Sequence, residues 1–543
     1  MEGRFIRIPI IRPKIFLRML IRDLSSMNKR LVVILLFLIC RFADATEPDA
    51  ERRYNMHSFR QLEAGSPWLQ SNNAAGLLQM EALFPSELKL GFNLNDGDFH
   101  SVFKGKSDQS FDFSSQSYRK INKIYLFGSF GYSKSYEREL NFSNTNDPAM
   151  NYPYLLIDTI GNDIYDREFF KLAAIISSPL SSRLDWGLSF DYKVGVASQN
   201  RDPRPENKVL QTSISSGLLF KTNHFKLGAN LAYGYYNEDI DISVVEENRL
   251  YAMFQSYGLG VFNSHVSTSF YRLYRQQQFG GGLQAEYKSA SFSNLLHSNY
   301  CYSFQTIDDG RRGNAATWAA TKNDSRLDGI DWDLTDVISI DRGGKVHKVK
   351  ASLQIVARRG TEFIQRLEKV NATDLEHWIT YGEEQKYYSL RTNAELNYQL
   401  MVKDENKLMK SLLNAGLKYS AFAEKYYLPD NVQDYSNLKF AASYLKLFPL
   451  PAASFSAEMK LNYQLNLDGD QKISDENFLV KKIFRPEFIY LTEDYLSPGI
   501  SLAYQVPMKK GFDKYFIKAD FDWYRAESGL SRTIFGFSTG LIF

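Results

Sequence analysis

The sequence predicts an all-β protein, a transmembrane antiparallel β-barrel of about 18 strands, with about 14 as the lower bound. Three observations predict it: an export signal near the start, long runs of period-two alternation, and a final strand that ends on an aromatic residue. The chain has 543 residues, of which 44% are hydrophobic and 15% aromatic. Its mean hydropathy is −0.35. No stretch of the mature chain approaches the roughly 18 consecutive apolar residues that a spanning helix needs. A membrane is therefore crossed by strands or not at all.

Taken in chain order, the first element begins at Met27: a basic stretch with Lys29 and Arg30, an apolar run from Leu31 to Cys40, then Ala43-Asp44-Ala45. This is the layout of a secretory signal peptide, with removal expected after Ala45. The 26 residues before Met27 are an extended basic region or the result of a misplaced start codon, with Met27 the true start. Residues 1–45 are thus read as extension and signal, 46–85 as a periplasmic tail or lumen plug segment, with the plug preferred, and 86–543 as the barrel. The plug reading rests on residues 46–85 being polar and without alternation, while Trp68, Leu69 and Leu77 need a surface to bury against.

Alternation then recurs down the chain. Trp186, Leu188, Phe190, Tyr192 and Val194 alternate with Gly187, Ser189, Asp191 and Lys193. Phe225 to Tyr235, Leu390 to Leu400, Phe455 to Leu465 and Tyr515 to Trp523 repeat the pattern. Runs of about ten residues match a tilted membrane strand and exceed the five or six usual in soluble sandwiches. Short turns are expected at Pro179 to Ser182, Thr222 and Asn223, Lys288 to Ala290, Arg342 to Gly344, Lys403 to Glu405, and Leu450 to Ala452. They alternate with long segments near 133–167, 239–278, 306–326, 360–385, 425–434 and 467–494. Short periplasmic turns and long extracellular loops are the asymmetry of a bacterial outer-membrane barrel, so that membrane is the expected location. In the last strand Phe535, Phe537, Leu541 and the terminal Phe543 share one face, the pattern of an assembly signal.

Charge and cysteine content narrow the partners. With 65 Lys and Arg against 62 Asp and Glu, the net charge of +3 is too balanced for a nucleic-acid binder. Of the two cysteines, Cys40 and Cys301, the first falls in the signal, so no disulfide is expected in the mature chain. The expected partners are outer-membrane lipid, the barrel assembly machinery, and another outer-membrane protein or lipoprotein.

Gly65-Ser-Pro-Trp-Leu-Gln-Ser-Asn-Asn-Ala-Ala-Gly-Leu77, followed by Leu88-Lys-Leu-Gly-Phe92, resembles the Asn-Pro-Ala-Gly-Leu segment ahead of the first strand in the long-chain fatty acid transporter family, with Ala74 where that family has Pro. The resemblance implies an N-terminus that plugs the lumen. Arg201-Asp-Pro-Arg204, and Gly258-Leu-Gly260 ahead of Ser269-Phe-Tyr-Arg-Leu-Tyr274, look like an uncharacterised group of Bacteroidota outer-membrane barrels. That likeness implies fold and location.

The candidate lumen-lining residues are Lys348, Lys350, Arg358, Arg391, Glu395, Glu458, Lys460, Lys518, Asp520 and Asp522, of mixed sign and so suited to cross-strand pairing. Lys348, Lys350 and Arg358 on one strand are the best candidates for a wall that attracts anions. Trp68, Asn72, Asn73 and Gly76 are the plug candidates. Asn466, Asp468 and Asp470 have calcium-loop spacing, but Gln471 stands where the loop wants Gly and Asn477 where it wants Glu. His265-Val-Ser267 has the spacing of a membrane phospholipase pair without that family's following Asn-Gly. The remaining histidines have no metal spacing, and no catalytic residue or cofactor is expected. The expected function is a plugged channel or transporter for a small or hydrophobic molecule, and the alternative is an accessory subunit of an uptake or secretion complex.

Overall fold

A computed structural model describes residues 54–158, 163–246, 251–267, 269–310, 322–369, 377–405, 407–450, 452–508 and 512–543, and the side chains of 265–267 lie outside that description. The expected signal peptide and residues 46–53 of the plug-like segment also lie outside the described residues. In chain order the strands are β1 (Ser86–Gly97), β2 (Ser107–Ile121), β3 (Ile124–Leu140), β4 (Leu156–Asp158), β5 (Asp163–Pro179), β6 (Leu184–Gln199) and β7 (Arg204–Lys221). There follow β8 (Phe225–Ser243), β9 (Tyr251–Gly258), β10 (Val261–Ser267), β11 (Ser269–Lys288), β12 (Phe292–Gly310), β13 (Lys322–Arg342) and β14 (Lys345–Glu368). The last are β15 (His377–Lys403), β16 (Met409–Tyr426), β17 (Asn431–Leu450), β18 (Ala453–Lys472), β19 (Tyr495–Pro507), β20 (Lys514–Ala526) and β21 (Ser531–Ile542). Three α-helices accompany them among the described residues: α1 (Ser58–Gly65), α2 (Pro148–Asn151) and α3 (Arg485–Thr492).

Eighteen strands form one antiparallel sheet that closes on itself, while β4, β9 and β10 form a separate three-stranded sheet. Closure is by β1 against β21, in a register that pairs Phe92 with Phe537 and Leu94 with Phe535 on one face, and Lys89 with Gly540 and Asn93 with Gly536 on the other. Closure removes the unpaired edge that a sheet would otherwise present, which is the condition for strands to lie in lipid. Outward-facing residues are apolar and left uncovered: Leu231 is 75% exposed, Leu283 70% and Met459 69%. A belt of such side chains is costly in water and favourable against hydrocarbon. No described helix is long and apolar enough to cross a membrane.

The strand count agrees with the sequence expectation, and so does the alternation of short turns with long segments. The two-residue turn between β13 and β14 uses Gly343 and Gly344 at φ +58° and +80°, the left-handed backbone a tight hairpin requires. The long segments are shorter than the sequence indicates. β14 has 24 residues and β15 has 27, more than twice what a bilayer needs. Residues 363–368 and 377–383 pair only with each other, beyond the ends of β13 and β16. Above the lipid, strands lose the apolar face that sequence alternation detects while the backbone ladder continues.

Candidate functional site

Residues 54–85 lie inside the barrel at the end where the short turns are. α1 places Arg60 in a two-pronged contact with Glu458 on β18, at 2.9 and 2.7 Å. The His57 ring nitrogen Nε2 lies 3.0 Å from Ser456 Oγ. Burial, reinforced by Arg60, pushes the His57 pKa down to about 3. Burial raises the Glu63 carboxyl, against the opposing pull of Arg60 and Lys348. Beyond α1 the Trp68 indole N–H donates to Glu286 on β11 at 2.8 Å, and Lys226 pairs with the same carboxylate at 2.7 Å. Asn73 caps the turn Ala74–Gln79 by accepting from Ala75 N at 3.0 Å. Its amide donates to Leu218 O at 2.9 Å and to Gln284 Oε1 at 2.8 Å. The Asn72 carbonyl accepts from Ser215 Oγ at 3.5 Å. Glu81 pairs with Lys403 at 2.8 Å. These contacts reach β18, β15, β11, β7 and β5, so the segment is tied around the whole ring.

At this end the inner wall is itself apolar. Leu219, Leu295 and Val337 pack with Trp68 and Ala75, and Leu62, Leu77 and Met80 pack with Tyr118. Burying Trp68 in such a seat stabilises docking by about 2–3 kcal/mol through the area removed from water. Gly76 fits because a Cβ there would lie only 3.0 Å from Trp68 O and 3.1 Å from Trp68 Cβ.

Long segments fold inward at the opposite end. The segment between β3 and β5 carries α2 and β4, and its Asn146 N–H and Asn151 amide donate to buried Glu238 at 2.6 and 2.7 Å. Asn207 and Tyr236 satisfy the same carboxylate at 2.7 and 2.6 Å. The Tyr154 carbonyl accepts from Tyr274 Oη at 2.6 Å and from Arg272 at 3.3 Å. Arg272, fully buried, is neutralised by Asp309 at 2.6 Å through each of two nitrogens. A buried cation is tolerated only with such a partner. The segment between β18 and β19 contributes Leu479, Ile483 and Phe484, which pack on Leu155 and Ile157. Glu487 of α3 accepts from Ser101 Oγ at 2.8 Å and Val102 N at 2.8 Å, and burial raises its carboxyl.

Two chambers lie within the lumen. The one beside the plug, about 760 Å³, is lined by His57, Arg60, Glu87, Lys89, Asp112, Lys171, Glu458, Lys518 and Asp520. The one beneath the folded loops, about 900 Å³, is lined by Lys104, Arg167, Lys193, Arg358, Arg391 and Arg532 and by Asp108, Glu137, Asp147, Glu424 and Glu487, among aromatic rings. Phe169 lines both.

The expected lumen residues separate into groups. Glu458, Lys518 and Asp520 line the plug-side chamber, with Lys518 and Asp520 paired at 2.9 Å and Lys460 reaching Asp522 at 3.3 Å. Arg358 and Arg391 line the loop-side chamber. Lys348, Lys350 and Arg358 do not form an open cationic wall. Lys348 is buried with its ammonium 3.5 Å from Glu63 O, and Arg358 is neutralised by Asp331 at 2.6 Å, while Lys350 forms no ion pair among the described residues. Glu395 accepts from Asn397 on its own strand.

Trp68, Asn72, Asn73 and Gly76 all lie in the docked segment. Asn466, Asp468 and Asp470 are on β18 and not in a loop, and extended backbone spaces them along the strand instead of wrapping them around a cation. Asp470 pairs with Lys472, and no group of three His, Cys, Asp or Glu among the described residues is placed to hold a metal. His265 and Ser267 are on β10, outside the membrane wall, and their side chains lie outside the described residues. Phe535 and Phe537 face outward, while Phe543 exchanges backbone hydrogen bonds with Ser86 at 2.7 and 3.0 Å.

Sequence reasoning missed Glu286, Gln284, Glu238, Arg272 and Glu424, the receptors for the inserted segments. Their partners on the inserted segments are 87 to 272 residues away, so no local spacing marks them.

A closed antiparallel ring of eighteen strands with an apolar outer belt and a filled polar lumen defines a transmembrane β-barrel. The chain belongs to the family of unknown function DUF6850, whose model matches residues 74–543. No curated protein matches it. Among solved structures it is similar to the outer membrane transporter YddB from Escherichia coli, at 9% identity and TM-score 0.39, over 84% of this chain and 81% of that one. The closed form of the ferric-catecholate import receptor Fiu from E. coli K12 is similar at 8% identity and TM-score 0.37, over 85% and 82%. OccK8 (OprE) of Pseudomonas aeruginosa is similar at 10% identity and TM-score 0.32, over 85% and 97%.

Proposed function

We propose that the protein is an outer-membrane conduit for a small molecule, held shut by its N-terminal segment on the periplasmic side and by its folded loops on the outer side. The observation that carries this reading is the docking of residues 54–85 across the lumen through Arg60–Glu458, Trp68–Glu286 and Asn73–Gln284. A segment needed only to brace the wall has no reason to cross the space the wall encloses. Paired charges and the two chambers line a polar route along β1 to β3 once the segment moves. The test is conductance in planar bilayers. The intact chain is expected to be silent and a chain lacking residues 46–85 to give discrete open steps, whereas silence from that folded deletion variant refutes the conduit.

A second reading, an accessory subunit of an uptake or secretion complex, is favoured by the hairpin that β14 and β15 raise above their neighbours. It leaves Ile364, Leu367 and Tyr381 exposed. Another outer-membrane protein or lipoprotein is the partner such a surface suits. Mild-detergent purification from native membranes, with chain stoichiometry read by mass spectrometry, separates the two readings.

A further inference from the structure

The cations of the loop-side chamber are held in two ways. Arg358 and Arg167 each face a carboxylate, Asp331 and Glu137. Arg391 on β15 has none: it forms no ion pair among the described residues, and its guanidinium lies over the Phe422 ring at 5.1 Å from the centroid. Phe422 in turn meets Tyr435, ring centroids 5.5 Å apart, so cation and rings form one shelf on β15, β16 and β17. The nearby carboxylate, Glu424, is already occupied by Tyr152 and Tyr387 hydroxyls and the Gln433 amide, at 3.0, 2.8 and 3.1 Å. Lys193, across the chamber, repeats the arrangement over Phe169 at 4.8 Å and forms no ion pair among the described residues either.

A guanidinium resting on an aromatic face keeps its N–H edge free for a planar anion, and the adjoining ring offers an apolar surface to whatever carries that anion. We infer that this chamber binds an aromatic anion, its carboxylate or sulfonate on Arg391 and its ring on the Phe422–Tyr435 shelf. The inference rests on the conduit reading for its purpose and names the class of molecule that the conduit admits. A chamber of about 900 Å³ holds a bicyclic body with room for water.

The probes are three compounds of one shape: 2-naphthoate, neutral 2-naphthalenemethanol and cationic 2-naphthylmethylamine. Each is titrated calorimetrically into the full chain in nanodiscs, with empty nanodiscs subtracted. Naphthoate is expected to bind at least about tenfold more tightly than either analogue. Arg391→Gln is expected to remove that preference, and Arg391→Lys to retain part of it, both variants being first shown folded by their heat-modifiable migration. Equal binding of naphthoate and the alcohol, no binding by any probe, or an unchanged preference in folded Arg391→Gln overturns the site. Selective binding together with a silent deletion channel would remove the conduit and leave the site standing. Open steps without charge preference would do the reverse.

Discussion

The Tyr152 hydroxyl donates to the Glu424 carboxylate at 3.0 Å, joining a segment that leaves the wall between β3 and β5 to a strand on the opposite side of the eighteen-strand ring. Tyr387 meets the same carboxylate from the wall at 2.8 Å. The contact spans the lumen, so the inserted segment is a crossbar and not a lining. A hydrogen bond to a buried charged group is worth about 1.5–3 kcal/mol. Tyr152→Phe is therefore expected to raise the population of the lifted segment by about tenfold or more. Faster hydrogen exchange across residues 141–158, with the wall strands unchanged, is the measurement. Unchanged exchange there would show that Glu238, not Glu424, holds the crossbar.

Docking of the plug depends most on Trp68, because one side chain fills an apolar seat and satisfies Glu286. Trp68→Ala is expected to cost about 3–5 kcal/mol of docking, combining the cavity with the lost partner. Gly76→Val acts on the same seat from the other side, since its Cβ position lies 3.0 Å from Trp68 O. Both variants should render residues 54–85 sensitive to protease added from the periplasmic face while the barrel remains heat-modifiable. Protection equal to that of the parent chain would place the docking energy elsewhere, at Arg60 and Glu458.

Much of this architecture is legible before any coordinates. Strand number and the alternation of short and long connections follow from period-two patterning. What stays hidden has a common cause. Glu238, Arg272 and Glu424 stand on strands whose alternation is ordinary, and besides their partners on the wall each takes one from a distant inserted segment. Leu219, Leu295 and Val337 break the polar-inside rule because the plug covers them. Lys348, Lys350 and Arg358 share one face of β14, yet Glu63 and Asp331, one on the plug and one on β13, divide them into separate settings.

Acid should loosen the plug through His57. Its ring is neutral when docked, with its pKa held down at about 3 by burial and by Arg60, while in the released segment it returns to the ordinary imidazole value. Between those values the released state binds more protons than the docked one. Docking is thus at full strength above about pH 6.5 and weakens as the pH falls toward 3, by about 1.4 kcal/mol per unit. At pH 5 the loss is about 2 kcal/mol. Hydrogen exchange of residues 54–85, corrected for the intrinsic rate, should rise across this window and be flat in His57→Gln. A parent chain without pH dependence would show that Glu458 and Arg60 compensate the added charge.

Phe543 sits at the seam that closes the ring. Phe543 and Ser86 exchange two backbone hydrogen bonds, and the Phe543 ring lies against Phe512 at 5.4 Å between centroids and under Arg119 at 5.8 Å. β1 and β21 are the first and last wall strands among the described residues, so their seam joins the two ends of the sheet. Removing Phe543 takes away both of these hydrogen bonds and the ring that covers them, while every other strand pairing is intact. The expected result is a fall in the yield of heat-modifiable barrel in cells, with a smaller effect on the thermal stability of the fraction that does assemble. Phe543→Trp, which keeps an aromatic ring at the rim, should restore the yield, and Phe543→Ser should not. Equal yields from all three chains would assign closure to the upper seam, where Leu94 pairs with Phe535 and Phe92 with Phe537.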